Sequence, residues 1–78
     1  KITVRIEKRK FGKKYTIISG IEKEANLEEI LKKLKMKFAC GGTAKHDQIE
    51  LQGDHKSRAK QVLVEMGFPN ETIEVKGD

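Results

Sequence analysis

The chain has 78 residues, enough for one small domain and too few for an enzyme with a deep cleft between two domains. Lysine and arginine number 17 against 12 aspartates and glutamates, and the net charge of +5 makes a polyanion the first partner to consider. No run approaches the roughly 18 apolar residues of a membrane span, and no leader typical of secretion begins the sequence. Lys1 stands where a Met would start a chain, so we expect a fragment or a trimmed sequence.

The charge is unevenly distributed along the chain. Residues 1–14 carry a net charge of +6 and residues 32–46 carry +5, whereas residues 15–31 and 61–78 each carry −3. Uniform mixing of lysine and glutamate would be typical of a coat that maintains solubility. Two separate basic blocks instead predict a local positive face.

The first half of the sequence predicts a hairpin. Ile2, Val4 and Ile6 alternate with polar residues, which is the period of a half-buried strand. A second β-rich run follows, and residues 2–19 are therefore predicted to form two strands joined by a basic tip. Gly12 lies in that tip and can supply the positive φ that hairpin loops often need.

A helix is predicted after the hairpin. Asn26, with Glu29 three residues later, is typical of a capped N-terminus. One apolar stripe follows at helical spacing: Leu27, Ile30, Leu31, Leu34 and Phe38. The double glycine at residues 41–42 predicts a break or bulge after the helix.

The second half of the sequence repeats this alternation of strands and helix. It predicts a hairpin that turns at His46–Asp47, a helix opened by Gly53–Asp54, and a last strand at residues 73–75. Gly67 with Phe68 and Pro69 after it is typical of a helix C-terminus. The order β-β-α-β-β-α-β predicts one α/β domain of the α+β kind over residues 1–78. We expect a two-layer sandwich with both helices on one face of a mixed or antiparallel sheet.

The basic tip is the strongest candidate for a binding site. Five cations lie within seven residues around one aromatic ring: Lys8, Arg9, Lys10, Lys13 and Lys14 flank Phe11. Cations contact phosphates, and an exposed aromatic ring stacks on unpaired bases, so the tip predicts an RNA contact. The alternative is a solvated loop in which Phe11 folds onto the edge of the sheet.

Two further basic groups are less specific. The first helix carries Lys32, Lys33, Lys35 and Lys37, and the second begins with Lys56, Arg58 and Lys60. Either group could be a solvated helix face. Cations at the start of the second helix oppose its dipole, which is easier to understand if they meet phosphate.

No constellation of residues predicts catalysis. Cys40 could act as a nucleophile with His46 or His55, but a lone free cysteine is more often a small buried residue. Such a cysteine fits a reducing, cytoplasmic compartment. One cysteine and two histidines are too few for a zinc site, so neither metal nor cofactor is expected. The residues 41–43 lack the Lys-Ser/Thr end of a phosphate-binding loop.

Four segments in this order resemble the archaeal and eukaryotic type of translation initiation factor 1, the SUI domain family. They are Lys10-Phe11-Gly12-Lys13-Lys14, then Lys37-Phe38-Ala39-Cys40-Gly41-Gly42-Thr43, then Ile49-Glu50-Leu51-Gln52-Gly53-Asp54-His55-Lys56, and Val62-Leu63-Val64-Glu65-Met66-Gly67-Phe68. The resemblance implies a monomeric, non-enzymatic factor that binds the small ribosomal subunit near the P site. It implies partners in ribosomal RNA, the mRNA start codon, initiator tRNA and other initiation factors, and a role in destabilising non-cognate pairing.

The resemblance also implies which residues meet the ribosome. The family's basic loop corresponds to residues 8–14, and its second loop to residues 41–47. The Gly-Asp motif, linked in the family to start-site fidelity, corresponds to Gly53–Asp54. Beyond the tip and the four helix lysines, the residues so implied are Gly41, Gly42, Thr43, Lys45, Asp54, His55 and Lys56.

Phe11 and Gly41 replace residues that are usually Asn in eukaryotic members, so the sequence looks more archaeal. Bacterial SUI-like proteins share the two glycine motifs. One alternative function is a generic RNA-binding or annealing module of the same fold. Another is a small acylphosphatase-type hydrolase, for which Arg9 has no clear companion residue.

Overall fold

The computed structural model describes residues 1–22 and 24–77, and these contain five strands and two helices in the predicted order. The strands are Ile2–Lys8 (β1), Lys14–Ser19 (β2), Gly42–Lys45 (β3), Gln48–Gln52 (β4) and Ile73–Val75 (β5). The helices are Leu27–Phe38 (α1) and Lys56–Glu65 (α2). One turn of 3-10 helix at Lys10–Gly12 forms the hairpin tip, and another at Asn70–Thr72 precedes β5.

The five strands form one mixed sheet in the order β3-β4-β2-β1-β5. The pairs β1–β2, β2–β4 and β3–β4 are antiparallel, whereas β5 joins β1 in parallel. The α+β prediction is therefore confirmed, with the sheet mixed. The first hairpin consists of β2, the central strand, and β1 beside it. Its tip therefore projects from the middle of the sheet.

One apolar core lies between the sheet and the helices. Val4, Ile18 and Ile49 lie side by side in the strand registers, and all three are fully buried. They pack in one cluster with Leu34 of α1 and Leu63 of α2, so both helices cover the same face of the sheet. In the described part of the chain, neither helix has the length and apolar character needed to cross a membrane.

The predicted helix signals at the start of α1 and the end of α2 are confirmed. The side chain of Asn26 accepts a hydrogen bond from the Glu29 amide at 3.2 Å. At the end of α2, the Phe68 amide donates to the Leu63 carbonyl at 3.1 Å. Gly67, with φ +110°, makes the left-handed turn between them that glycine adopts at least cost.

The end of α1 differs from the prediction. We expected the break at the double glycine, but the left-handed residue is Ala39, with φ 51°. Cys40 closes the turn by donating its amide proton to the Lys35 carbonyl at 3.1 Å. Neither Gly41 nor Gly42 has a φ in the left-handed region. The helix therefore does not need these glycines in order to end, and the packing around Gly42 is described below.

The left-handed Ala39 gives a first testable prediction. The left-handed conformation costs an L-residue about 1–2 kcal/mol, and the greater freedom of glycine in the unfolded chain offsets about half of that gain. We therefore expect Ala39→Gly to raise the free energy of unfolding by about 0.5–1 kcal/mol. Urea unfolding measures this change in free energy, provided that the m-value stays the same in the two proteins. Ala44→Gly in β3 is the control and should lower stability, and a loss of stability in both variants would contradict the prediction.

Candidate nucleic-acid interface

The strand registers bring three segments to one end of the sheet, which we call the hairpin end. They are the tip at residues 8–14, Gly41, and the turn at residues 53–55. The Gln52 amide donates to the Gly41 carbonyl at 2.8 Å, and the Gly53 amide donates to the Lys14 carbonyl at 2.9 Å. Segments far apart in sequence are thus joined by backbone hydrogen bonds into one surface.

The end of α1 lies at the hairpin end as well. The ring of Phe38, the last residue of α1, stacks on the ring of His55 with centroids 4.7 Å apart. The last turn of α1 carries Lys35 and Lys37. The two basic blocks of the sequence are therefore brought toward each other. Lys32 and Lys33 lie about one turn further from the hairpin end and are exposed.

The tip presents an aromatic ring to solvent. Phe11 is 94% exposed and has a left-handed backbone, with φ 65° and ψ 28°. The Arg9 amide closes the loop by donating to the Lys13 carbonyl at 2.7 Å. The alternative in which Phe11 folds onto the edge of the sheet is wrong. The ring is free to stack on a planar group from a partner.

The lysines of the tip surround this ring without neutralisation. Lys8, Lys10, Lys13 and Lys14 are all exposed. Within residues 1–22 and 24–77, none of the four forms an ion pair. Like charges so close together repel one another, and an anionic partner relieves that repulsion.

Arg9 differs from the lysines beside it. Its guanidinium donates to the Glu7 carboxylate at 2.7 Å and to the Glu50 carboxylate at 3.0 Å, and it lies 4.2 Å from the centre of the Tyr15 ring. Hydrogen bonds to the two carboxylates raise the pKa of the Arg9 guanidinium. Arg9 thus packs against the open face of the sheet and anchors the hairpin. Its predicted RNA contact stays a prediction.

The carboxylates around Arg9 complete this anchor. Hydrogen bonds from Arg9 and then from Arg5 hold the pKa of the Glu7 carboxyl below its ordinary value. The contribution of Glu7 to stability is therefore present above its ordinary pKa and is lost as the pH falls through the lowered one. Glu50 is only 4% exposed although it lies on the open face. In the sequence, the alternation of Glu50 with Ile49 and Leu51 indicates only that it lies on the face opposite the core.

The predicted second loop is mostly a strand. Residues 42–45 form β3, and only His46–Asp47, with φ values of 54° and 61°, make the turn. That turn matches the left-handed pair of a two-residue hairpin. Because Lys45 pairs with Gln48, it lies about 17 Å along the sheet from the level of Gly53. The structure does not bring Lys45 to the hairpin end.

Thr43 and Gly42 occupy different environments within β3. Thr43 is exposed and pairs with Glu50, so it lies on the open face of the sheet. Gly42 lies on the core face, where an added Cβ would be 2.7 Å from the Glu50 carbonyl oxygen. Gly42 is therefore required for close packing between β3 and β4, not for a reversal of the chain.

The residues after β4 build the turn that leads into α2. The Asp54 carboxylate accepts a hydrogen bond from the Lys56 amide at 3.2 Å, which satisfies the first amide of the helix. The helix therefore starts two residues after the predicted Gly53–Asp54 opening. His55 is half-buried, and its Nε2 lies 2.8 Å from the Gln52 carbonyl oxygen. The Arg58 guanidinium lies 5.5 Å from the Phe38 ring centre, so it is near the hairpin end.

The catalytic alternative gains no support from the geometry. Burial raises the pKa of the Cys40 thiol, which disfavours the reactive thiolate. His46 lies at the far end of the sheet, and the His55 ring is already occupied by Phe38 and the Gln52 carbonyl. Over residues 1–22 and 24–77, no three His, Cys, Asp or Glu side chains form a group that could hold a metal ion.

Comparison with known proteins found a matching family model and several similar relatives. The family model for translation initiation factor SUI1 matches residues 1–69. A protein translation factor SUI1 homolog of Pyrococcus horikoshii is 61% identical over 77 residues, covering 97% of this chain and 78% of the relative. A homolog of the same name from Pyrococcus furiosus is also 61% identical, over 97% of this chain and 79% of its own. One from Aeropyrum pernix is 56% identical over 95% of this chain and 74% of its own.

Proposed function

The chain belongs to the SUI1 family of translation initiation factors, and on that premise we propose that it binds the small ribosomal subunit near the P site. In this proposal it acts in the cytoplasm as a monomer, beside mRNA, initiator tRNA and other initiation factors. Its role is binding and not catalysis. It promotes accurate selection of the start codon by destabilising non-cognate pairing between initiator tRNA and mRNA.

The observation that carries the proposal is the composition of the hairpin end. Four exposed lysines of the tip surround the exposed ring of Phe11, and Lys35 in the last turn of α1 lies at the same end of the sheet. Lys37, in the same turn, lies 4.0 Å from the Glu65 carboxylate. Contacts to ribosomal RNA phosphates would fix the position of the domain. The ring of Phe11 would then stack on an unpaired base.

The physical basis of start-site selection is competition for space. A basic tip beside the P site obstructs full accommodation of initiator tRNA. Correct pairing releases enough free energy to displace the tip, whereas a mismatch removes about 1–3 kcal/mol, the usual scale of nucleic-acid discrimination. The tip is therefore displaced at the correct codon and stays in place at a wrong one.

Equilibrium binding over a salt series tests the proposal. Purified small subunits, large subunits and bulk RNA are titrated in parallel with the labelled protein. We expect tight binding to small subunits alone that persists near physiological salt, and reduced initiation at near-cognate codons when the protein is added. Equal binding to small subunits, large subunits and bulk RNA, lost from all three at the same salt concentration, would overturn the proposal. The protein would then be a generic RNA-binding or annealing module.

A further inference from the structure

The hydroxyl of Thr16 joins the hairpin to the turn at residues 53–55. Thr16 lies in β2, and its Oγ1 donates to the Gly53 carbonyl oxygen at 2.8 Å. The same oxygen accepts the His55 amide proton, also at 2.8 Å. A threonine hydroxyl has one proton and two lone pairs, so one side chain holds both a carbonyl and an amide of the turn.

Burial makes these two bonds hard to replace. Thr16 is 0% exposed, and its two partners, Gly53 and His55, are half-buried. Loss of the hydroxyl would leave the Gly53 carbonyl and the His55 amide without their partner, which is more costly than the mean value of a hydrogen bond. The sequence shows Thr16 only as a polar residue within an apolar strand.

The turn that Thr16 holds is closely packed. Gly53 has φ +100°, and a Cβ added there would lie 3.0 Å from the Nε2 atom of His55. The His55 ring is fixed from two sides, by the Gln52 carbonyl and by stacking on Phe38. Contacts therefore run without interruption from the end of α1 through the turn to Thr16.

From Thr16 the contacts continue to the root of the tip. Lys14 is two residues earlier in β2, its carbonyl accepts the Gly53 amide at 2.9 Å, and it forms the last pair of the β1–β2 ladder with Lys8. A cleft of about 310 Å³, lined by Lys13, Lys14, Tyr15, Gln52 and Gly53, separates the tip from the turn. Displacement of the turn would therefore displace the Gly53 amide that holds the Lys14 carbonyl at the root of the tip.

We infer that Thr16 is a positioning residue that holds the basic tip and the end of α1 in one fixed arrangement by fastening both to the Gly53–His55 turn. The inference rests on the proposed function of the hairpin end. Under it, the Gly53–Asp54 motif affects RNA binding by setting the position of the tip.

Thr16→Val tests this because it keeps the branched shape of the side chain and replaces the hydroxyl with a methyl group, which forms no hydrogen bond. Thr16→Ser restores the hydroxyl, and Thr3→Val in β1 is the matched control. We expect Thr16→Val to shift the amide resonances of Gly53, His55 and the tip. Its affinity for small subunits should fall about tenfold with an unchanged salt slope, because every cation remains. Thr16→Ser should restore both quantities, and Thr3→Val should change neither.

Unchanged tip resonances and unchanged affinity in a folded Thr16→Val variant would overturn the inference. If that variant does not fold, Gly53→Ala strains the turn from its other side and should shift the tip resonances in the same way. Unchanged tip resonances in Gly53→Ala would then overturn it. If the wild-type chain shows no preference for small subunits, the proposed function fails, whereas the amide resonances still decide whether Thr16 positions the tip.

Discussion

Replacing Lys10, Lys13 and Lys14 together with alanine is expected to lower the affinity for small ribosomal subunits about 100-fold at 0.1 M salt. Each lysine that neutralises a phosphate releases counterions and adds about 0.7–0.9 to the slope of log K against log salt. Removal of three should therefore flatten that slope by about 2–3. All three side chains are exposed, so the free energy of unfolding should change little.

The matched control removes cations that lie away from the tip. Lys1 and Lys76 both pair with Glu74, at 3.1 and 3.5 Å. Their double replacement with alanine should leave the salt slope unchanged. The measurement is the change in slope for each lysine removed, in the two variants side by side. The same change per lysine in both would mean that net charge alone governs binding, and the tip would lose its special role.

The structure distinguishes the cations of the tip by their exposure and their ion pairs, which the sequence does not show. Arg9 and Lys10 are adjacent, and composition alone gives them the same role. The guanidinium of Arg9 meets Glu50, which is 41 residues away in the chain, because β2 lies between β1 and β4 in the sheet. The order of strands in a sheet is a tertiary property, so no local pattern predicts this pair.

Local chemistry, in contrast, predicted most element boundaries. Asn26 with Glu29 begins a helix, and Gly67 ends one, because the signal and its effect lie within one turn of the chain. The hairpin tip and the turn at His46–Asp47 follow from the same kind of short-range information.

The candidate site was predictable as a set of cations and one aromatic ring, but not as a geometry. The sequence gives no distance between Lys45 and the tip, and the registers place them at opposite ends of the sheet. Thr16 escaped notice for a similar reason, since the atoms that its hydroxyl meets are 37 and 39 residues away. Hydrophobic periodicity reports which face a residue occupies, and it carries no information on such pairs.

The sequence predicted a break or bulge at Gly42, whereas the structure shows close packing there. Among the substitutions proposed, Gly42→Ala should have the largest effect on stability. A Cβ at residue 42 would lie 2.7 Å from the Glu50 carbonyl oxygen, 3.0 Å from Leu51 Cδ2 and 3.4 Å from Leu31 Cδ1. The carbonyl belongs to the central part of the sheet and cannot move without loss of ladder hydrogen bonds. We expect Gly42→Ala to lower the free energy of unfolding by about 2–3 kcal/mol, at the upper end of overpacking costs.

A domain of this size has only about 3–5 kcal/mol of net stability from its core, so Gly42→Ala should lose a large part of it. The melting temperature should fall by about 10–20 °C, which calorimetry measures directly. Gly77→Ala is the control, since nothing lies within 4 Å of its added Cβ, and it should melt like the wild type. Equal melting of the two variants would contradict the packing role. At a temperature where Gly42→Ala is folded, we expect its salt slope for subunit binding to match the wild type, because the substitution removes no cation.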